Sequence, residues 1–441
     1  MKPTAQIALV LLMGVLGCDG SGEEAGPTAP PSPSGPAPSV EVTLGFGDAP
    51  VEGTLFLTPP PGSENWRYSV DLDGDGTPDH EGILGLRIGF RYRFAQAGIH
   101  SIRTVLRGPD EHRQDVESLV IVNDQGPLRI IAANRVQPLD PMWVSFEGIT
   151  TSSAGDAIYV ANYSGGSLHR LDPTTLSVTG VIEEMSYSIE GLVVSPLDSF
   201  LFATYKYTHV AVVDLHDFEI ERFQERAGVG GFFIHGIDER RALLGGGNQL
   251  SHVDMRNGAV LDVFRAPGDD FTYTWHFDVT SDGGRAAVIV RGEHSAIHIV
   301  DPAIMESLGT VPLGPMEYPQ LVAFDPSGTR LYVMGNTEEG EALFVAYHLA
   351  TGTILRSLRL GRSYCSGYCV ANPTATIRSG RYVAFEWNGG AYFIDTELDL
   401  PRYATQLPGS NVGFSVSASP IEDVFYFLRS DGLIQKLTID D

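Results

Sequence analysis

Positive charge is what this chain has least of. Lys and Arg number 29 against 55 Asp and Glu, a formal net charge of −26. Nucleic-acid affinity comes mainly from basic side chains neutralising phosphates, so that class of partner is excluded. The same deficit disfavours electrostatic attachment to an anionic membrane surface. Charged residues of both signs make up only 19%, and no long amphipathic helical pattern occurs. The common enzymatic signatures are missing too: there is no G-x-S-x-G, no H-E-x-x-H and no Walker loop. Cysteine is scarce, with three in 441 residues.

What is plentiful is turn-forming sequence, with 50 glycines and 28 prolines. Together with the lack of helical periodicity, this predicts an all-β protein. The length allows two or three domains, or one small domain and a large repeat array.

The N-terminus, "MKPTAQIALVLLMGVLGC", has a lysine at position 2 and an apolar run from Ile7 to Val15. A run this short behind a positive start reads as an export signal and not a spanning helix. The ending "VLGC" resembles the bacterial lipobox, which implies residues 1–18 as a lipoprotein signal and Cys18 as the lipidated residue. The plainer alternative is an ordinary cleaved signal with an incidental cysteine. Residues 19–39, "DGSGEEAGPTAPPSPSGPAPS", cannot build a core and read as a tether. Extended, it reaches about 60 Å at roughly 3 Å per residue.

Short alternating strands begin at Val40 and run to 124: "VEVTLGF", "EGTLFLTP", "NWRYSVDLDGDGTPDHEG", "FRYRFAQAGIHSIRTVLRG" and "DVESLVIVN". Their spacing suits a small sandwich. Tyr68, Asp71, Asp73, Asp75 and Gly76, followed by Tyr92, Phe94, Gly98, His100 and Ile102, resemble the two signatures of a PKD domain. That resemblance implies an Ig-like sandwich of the kind found in exported proteins. Within it, Asp71, Asp73, Asp75 and Asp79 fall at positions 1, 3, 5 and 9 of a calcium loop, with Gly76 at the sixth. Hard oxygen ligands at alternate positions suit Ca²⁺. Position 12 is Gly82, not a bidentate Glu, so this is no EF-hand, and a solvated acidic turn is the alternative.

From 127 to 441 a unit recurs. "LHRLDPTTL" aligns with "VAVVDLHDF", "LSHVDMRNG", "IHIVDPAIM", "FVAYHLATG", "AYFIDTELD" and "LIQKLTIDD". The anchors are Asp172, Asp214, Asp254, Asp301, His348, Asp395 and Lys436, spaced by 42, 40, 47, 47, 47 and 41. Four strands fit in each unit, the signature of a β-propeller. Seven blades are expected, with six as the alternative. The last unit lacks a fourth strand, and "LRIIAANRV", 128–136, is the strand expected to supply it and close the ring. "YVANYSGGSLHRLDPTT" and "FDPSGTRLYVMGN" resemble YVTN-type repeats. Proteins of that kind serve as binding platforms, as surface proteins and, in some relatives, as lactonases.

Propellers place ligands at the central channel, near the start of each innermost strand. Glu147, Glu190, His235, His276, Gln320 and Asn372 are the candidates there. Carboxylates and imidazoles converging on a pore suit a divalent metal, which polarises a lactone carbonyl. Polar residues also line any wet channel without further purpose. Cys365 and Cys369 in "SYCSGYC" are expected to form a disulfide, the usual state of a close pair in an exported protein.

The expectation is a lipid-anchored protein of the cell envelope, on the periplasmic face or the outer surface. Its propeller would bind an envelope or extracellular protein or a glycan, without catalysis. It would meet the membrane only through its anchor and carry no cofactor beyond Ca²⁺. A propeller hydrolase of the lactonase kind and a structural module of a surface assembly are the alternatives.

Overall fold

The computed structural model describes residues 38–43, 46–60, 66–108, 113–123, 128–136, 146–162, 166–183, 185, 189–205, 209–225, 233–246, 249–265, 273–292, 295–314, 316–338, 340–362, 375–377, 379–387, 390–406 and 414–439. Every regular element among them is a strand.

Two sheets make up the N-terminal unit. One has the order Ser39–Thr43, Val51–Thr58, Ile88–Phe94; the other runs Phe46–Asp48, Arg113–Asn123, Gly98–Arg107, Trp66–Asp71, His80–Leu84. Alternation along strands such as "VEGTLFLT" turns one side of each inward. Leu55 and Leu57 of the first sheet and Val70, Ile102, Leu106 and Val120 of the second are fully buried in one shared core. Ser39–Thr43 and Arg113–Asn123 lie against Thr353–Arg362 and Leu400–Gln406 of the second unit.

That second unit consists of seven four-stranded antiparallel sheets among the described residues. In chain order six of them span 146–182, 189–225, 233–265, 273–311, 318–362 and 375–406. The seventh combines the three strands of 414–439 with Leu128–Arg135, which pairs antiparallel with Leu433–Ile439. Strands such as "RLYVMGN" are apolar on both sides because each side meets a different neighbour. Leu331 and Val333 pack toward the fourth sheet, Tyr332 and Met334 toward the sixth. Clusters of this kind join each sheet to the next, and the seventh back to the first. The inner strands of each sheet are thereby covered on both faces, which a lone meander of three or four strands cannot achieve, while outer strands such as Val178–Ile182 and Glu306–Val311 stay largely exposed.

The repeated aspartate has a local cause. It ends or directly follows the third strand of its sheet, and its Oδ1 accepts main-chain N–H groups from the turn that follows. Asp172 takes Thr174 at 3.0 Å and Thr175 at 2.7 Å, Asp214 takes His216 at 2.8 Å, Asp254 takes Arg256 at 2.9 Å, and Asp301 takes Ala303 at 2.8 Å. Four residues after each of the first six anchors the chain enters the left-handed region: Leu176, Phe218, Gly258, Met305, Gly352 and Asp399 have φ between 52° and 70°. Asp395 is wholly buried and also pairs with Arg402 at 3.1 Å and Arg381 at 3.5 Å. Lys436 is a correction. It lies inside its strand, and Thr438 is the residue that pairs with the start of the preceding strand, as the aspartates do.

A second repeated feature is a one-residue register shift between the third and fourth strands of six sheets, the seventh included, where Ile131 is the extra residue. The fifth sheet has the same shift beside Tyr347. Bulges increase local twist, so the outer strand of each sheet turns in the same way.

Candidate functional site

Each sheet contributes its first strand to the middle of the ring, and four of these strands share a β-bulge. Register skips Glu147 between Phe146 and Gly148, Glu190 between Ile189 and Gly191, Trp275 between Thr274 and His276, and Gln320 between Pro319 and Leu321. A bulge leaves one residue outside the ladder and re-aims it. Glu147, Glu190 and Gln320 therefore occupy one structural position, with Trp275 as their fourth counterpart. His276 stands one residue further on, paired with Ile289. His235 is paired with Leu243, the register that Asp278 holds in the next sheet. The candidates thus fall at three levels, not one. Of Glu147 and Glu190 only the main chain is described, and Asn372 lies outside the described residues, as do Cys18, Cys365 and Cys369.

His276 is 2% exposed. Its Nδ1 accepts the Val322 N–H of the fifth sheet at 3.4 Å, and its ring meets Phe233 of the third edge-on, with centroids 4.9 Å apart. Burial pushes its pKa down to about 3, so the imidazole is neutral at physiological pH. Burial likewise lowers His235 to about 4.

Two residues along the same face, Asp278 receives the Phe324 N–H at 2.7 Å on Oδ2. Burial raises its pKa to about 6, against the opposing pull of main-chain bonds from Phe324 and Val279. His276 and Asp278 therefore cap consecutive outward N–H groups of the next sheet's inner strand. Sequence reasoning missed Asp278, although the i, i+2 spacing in "HFD" places both residues on one face. Gln320 is 2% exposed, and its Oε1 has no hydrogen-bond partner among the described residues.

The acidic turn leaves the sandwich at the end of Trp66–Asp71. Carboxylate oxygens of Asp71, Asp73 and Asp79 lie within 4.8 Å of one another; Asp75 is outside the group. Asp71 is 6% exposed. It organises the loop by accepting the Gly74 N–H at 2.7 Å and the Gly76 N–H at 2.8 Å. Gly74 and Gly76 have φ of 75° and 89°, which side chains rarely tolerate. Asp79 folds back to take the Leu72 N–H at 2.7 Å, whereas Asp75 takes the Thr77 N–H at 2.6 Å. Three carboxylates this close repel one another unless screened or bridged by a cation.

No family model matches the chain, and no curated protein matches it. Solved structures do. The β-propeller domain of Cps50 (Swd1) from Myceliophteria thermophila shares 15% identity with a TM-score of 0.54, covering 71% of this chain and all of that one. Hydrazine synthase of Kuenenia stuttgartiensis shares 17% with a TM-score of 0.56, covering 72% of this chain and all of the other. Likeness at this level of identity shows the fold alone: the chain contains a β-propeller.

Proposed function

We propose that this protein is an exported, lipid-anchored binding protein of the cell envelope. In this reading a PKD-like sandwich and a seven-bladed propeller of YVTN type, closed by 128–136, are held away from the membrane by the 19–39 tether. Cys18 carries the lipid, and Cys365 and Cys369 pin the loop between the fifth and sixth sheets. The ligand is an envelope or extracellular protein or a glycan.

The observation that carries the binding role is how the titratable groups of the inner strands are used. His276 and Asp278 cap main-chain N–H groups of the neighbouring sheet. They hold blades in register, and a group engaged in this way is poorly placed as a general base. Recognition then falls to the loops, which the ring presents on a rigid frame.

Calcium at Asp71, Asp73 and Asp79 forms part of the proposal, with Asp75 outside the ligand set. A lactonase-like reaction is the second reading, favoured by the place of Asp278 on an inner strand, where burial raises its carboxyl toward about 6 and into the range of a usable acid or base.

The anchor and the partner are tested together. Wild-type protein should need detergent for extraction and should co-purify with an envelope component. Cys18→Ser should be released or left unprocessed. Identical fractionation and mass for the two would contradict the anchor, and a clean pull-down in detergent would contradict the partner.

A further inference from the structure

Three tyrosines hold one structural position, two residues after the carbonyl that closes the preceding turn. They are Tyr159 after Ala157, Tyr332 after Arg330 and Tyr426 after Val424. Each packs toward the next sheet around the ring. Two of the hydroxyls are engaged. Tyr332 donates to Asp399 Oδ1 at 3.0 Å, and that oxygen also takes Arg330 Nη1 at 2.8 Å. Tyr426 donates to the Pro173 carbonyl at 3.5 Å. Beside it, Lys436 reaches Glu422 at 2.6 Å and the Pro173 carbonyl at 3.4 Å.

The junction of the first and second sheets is built differently. Phe218 stands where Asp399 stands in the sixth sheet, each the left-handed residue four after its anchor. It sets a ring beside the Tyr159 ring where the sixth sheet has a carboxylate, with centroids 6.1 Å apart. Tyr159 is only 3% exposed, yet its hydroxyl bonds to no described residue. Arg170, its cross-strand partner, is the counterpart of Lys436. Its guanidinium lies 4.9 Å over the Phe218 ring and forms no ion pair among the described residues. At this junction lies a cavity of about 340 Å³, lined by Tyr159, Arg170, Asp156, Asp172, Thr179 and Asp198 among others.

We infer that this cavity binds a small hydroxyl-rich molecule of the monosaccharide class. Burial raises the Tyr159 pKa to about 12, so its hydroxyl stays protonated and can donate. Arg170 supplies further donors. The carboxylates are the acceptors. Asp198 and Asp172 already hold main-chain N–H groups, and Asp156 holds the Ser152 hydroxyl at 2.8 Å, but each keeps lone pairs to spare. A free anion is opposed by three carboxylates, and a lone ammonium, which only donates, would leave the Tyr159 hydroxyl and the Arg170 N–H groups without an acceptor. An apolar ligand would strand all of these groups without partners. A sugar hydroxyl both donates and accepts, which fits the mixed lining. The cavity lies between two sheets and not among the inner-strand residues, so it is tested separately from the inner strands.

The experiment is saturation-transfer NMR, followed by titration, on the whole folded chain with D-glucose, D-galactose, D-mannose and N-acetyl-D-glucosamine. At least one should bind, and Tyr159→Phe should weaken it by about tenfold or more through loss of one buried hydrogen bond. Arg170→Met, which keeps the stem and removes the donors, should do the same with melting unchanged. Tyr332→Phe, whose hydroxyl Asp399 already holds, should bind as wild type. No sugar bound, equal binding by Tyr159→Phe, or acetate or methylammonium bound in place of every sugar would overturn the assignment.

Discussion

Asp198, in the turn of the second sheet, receives the Ser153 N–H of the first sheet's turn at 2.6 Å. The same carboxylate also takes the neighbouring Ala154 N–H at 2.7 Å. The device recurs around the ring. Glu239 receives the Leu197 N–H and the Ser195 hydroxyl, and Asp423 receives the Ser379 N–H at 2.7 Å. One turn is thus tied to the next through a carboxylate, and Thr151 Oγ1 reaches the Ala418 carbonyl at 2.9 Å where the last sheet meets the first.

Asp198→Ala should cost about 2 kcal/mol, because two N–H groups lose a charged acceptor. Asp198 has φ of 58°. Asn tolerates that conformation and keeps one acceptor, so Asp198→Asn should cost clearly less. Melting temperatures of the two variants check this. Equal losses would mean that the carboxylate pairing contributes nothing.

The buried and half-buried titratable groups of the inner strands set opposing slopes of stability against pH. His276 and His235 have folded pKa values of about 3 and about 4, below their ordinary 6.5. The unfolded chain binds more protons, so this contribution is complete above pH 6.5 and is lost as pH falls. Asp278 is raised from 3.8 to about 6. Its contribution is present below about pH 4 and is lost as pH rises to about 6. Asp278→Asn, which can still accept the Phe324 N–H, removes only the second slope. The variant should therefore gain stability from pH 4 to 6 more steeply than wild type, and parallel curves would show that Asp278 titrates normally.

Millimolar Ca²⁺ should raise the melting temperature of the whole chain. Binding to the folded form alone stabilises it by about 2.7 kcal/mol at a hundredfold excess over Kd. Asp73→Ala should abolish the rise and Asp75→Ala should keep it, since Asp75 is outside the cluster. Loss of the rise in both variants would restore the four-residue set, and no rise in wild type would leave an acidic turn.

A chain beginning at residue 125 should be soluble, whereas one beginning at 137 leaves Leu433–Ile439 as an unpaired edge and should aggregate. Size-exclusion chromatography distinguishes them. Equal elution as monomers would show that the edge needs no cover.

The repeat was legible because its anchor does local work. Asp172, Asp214, Asp254, Asp301 and Asp395 are each selected by the turn that follows, so they recur at a readable spacing. Lys436 misleads because its sheet has no such turn. The strand after it comes from residues 128–135, and nothing in the turn selects an aspartate. Residues of the inner strands were legible as polar but not as a set. The bulge falls at the same level in these strands, and in the fourth sheet Trp275 occupies it, so His276 stands one residue beyond the position of Glu147 and Glu190. The Tyr159 cavity was illegible for another reason. Its lining comes from two sheets, Tyr159 and Arg170 from the first and Asp198 from the second, and no local pattern marks that.

In the proposed reading the propeller binds and does not catalyse. Its most direct test is steady-state hydrolysis of a lactone panel by the purified chain, with and without divalent metals. Wild type, Asp278→Asn and Glu190→Gln should all show the rate of buffer alone. Turnover by wild type that disappears in either variant would contradict the claim and identify the inner strands as an active site.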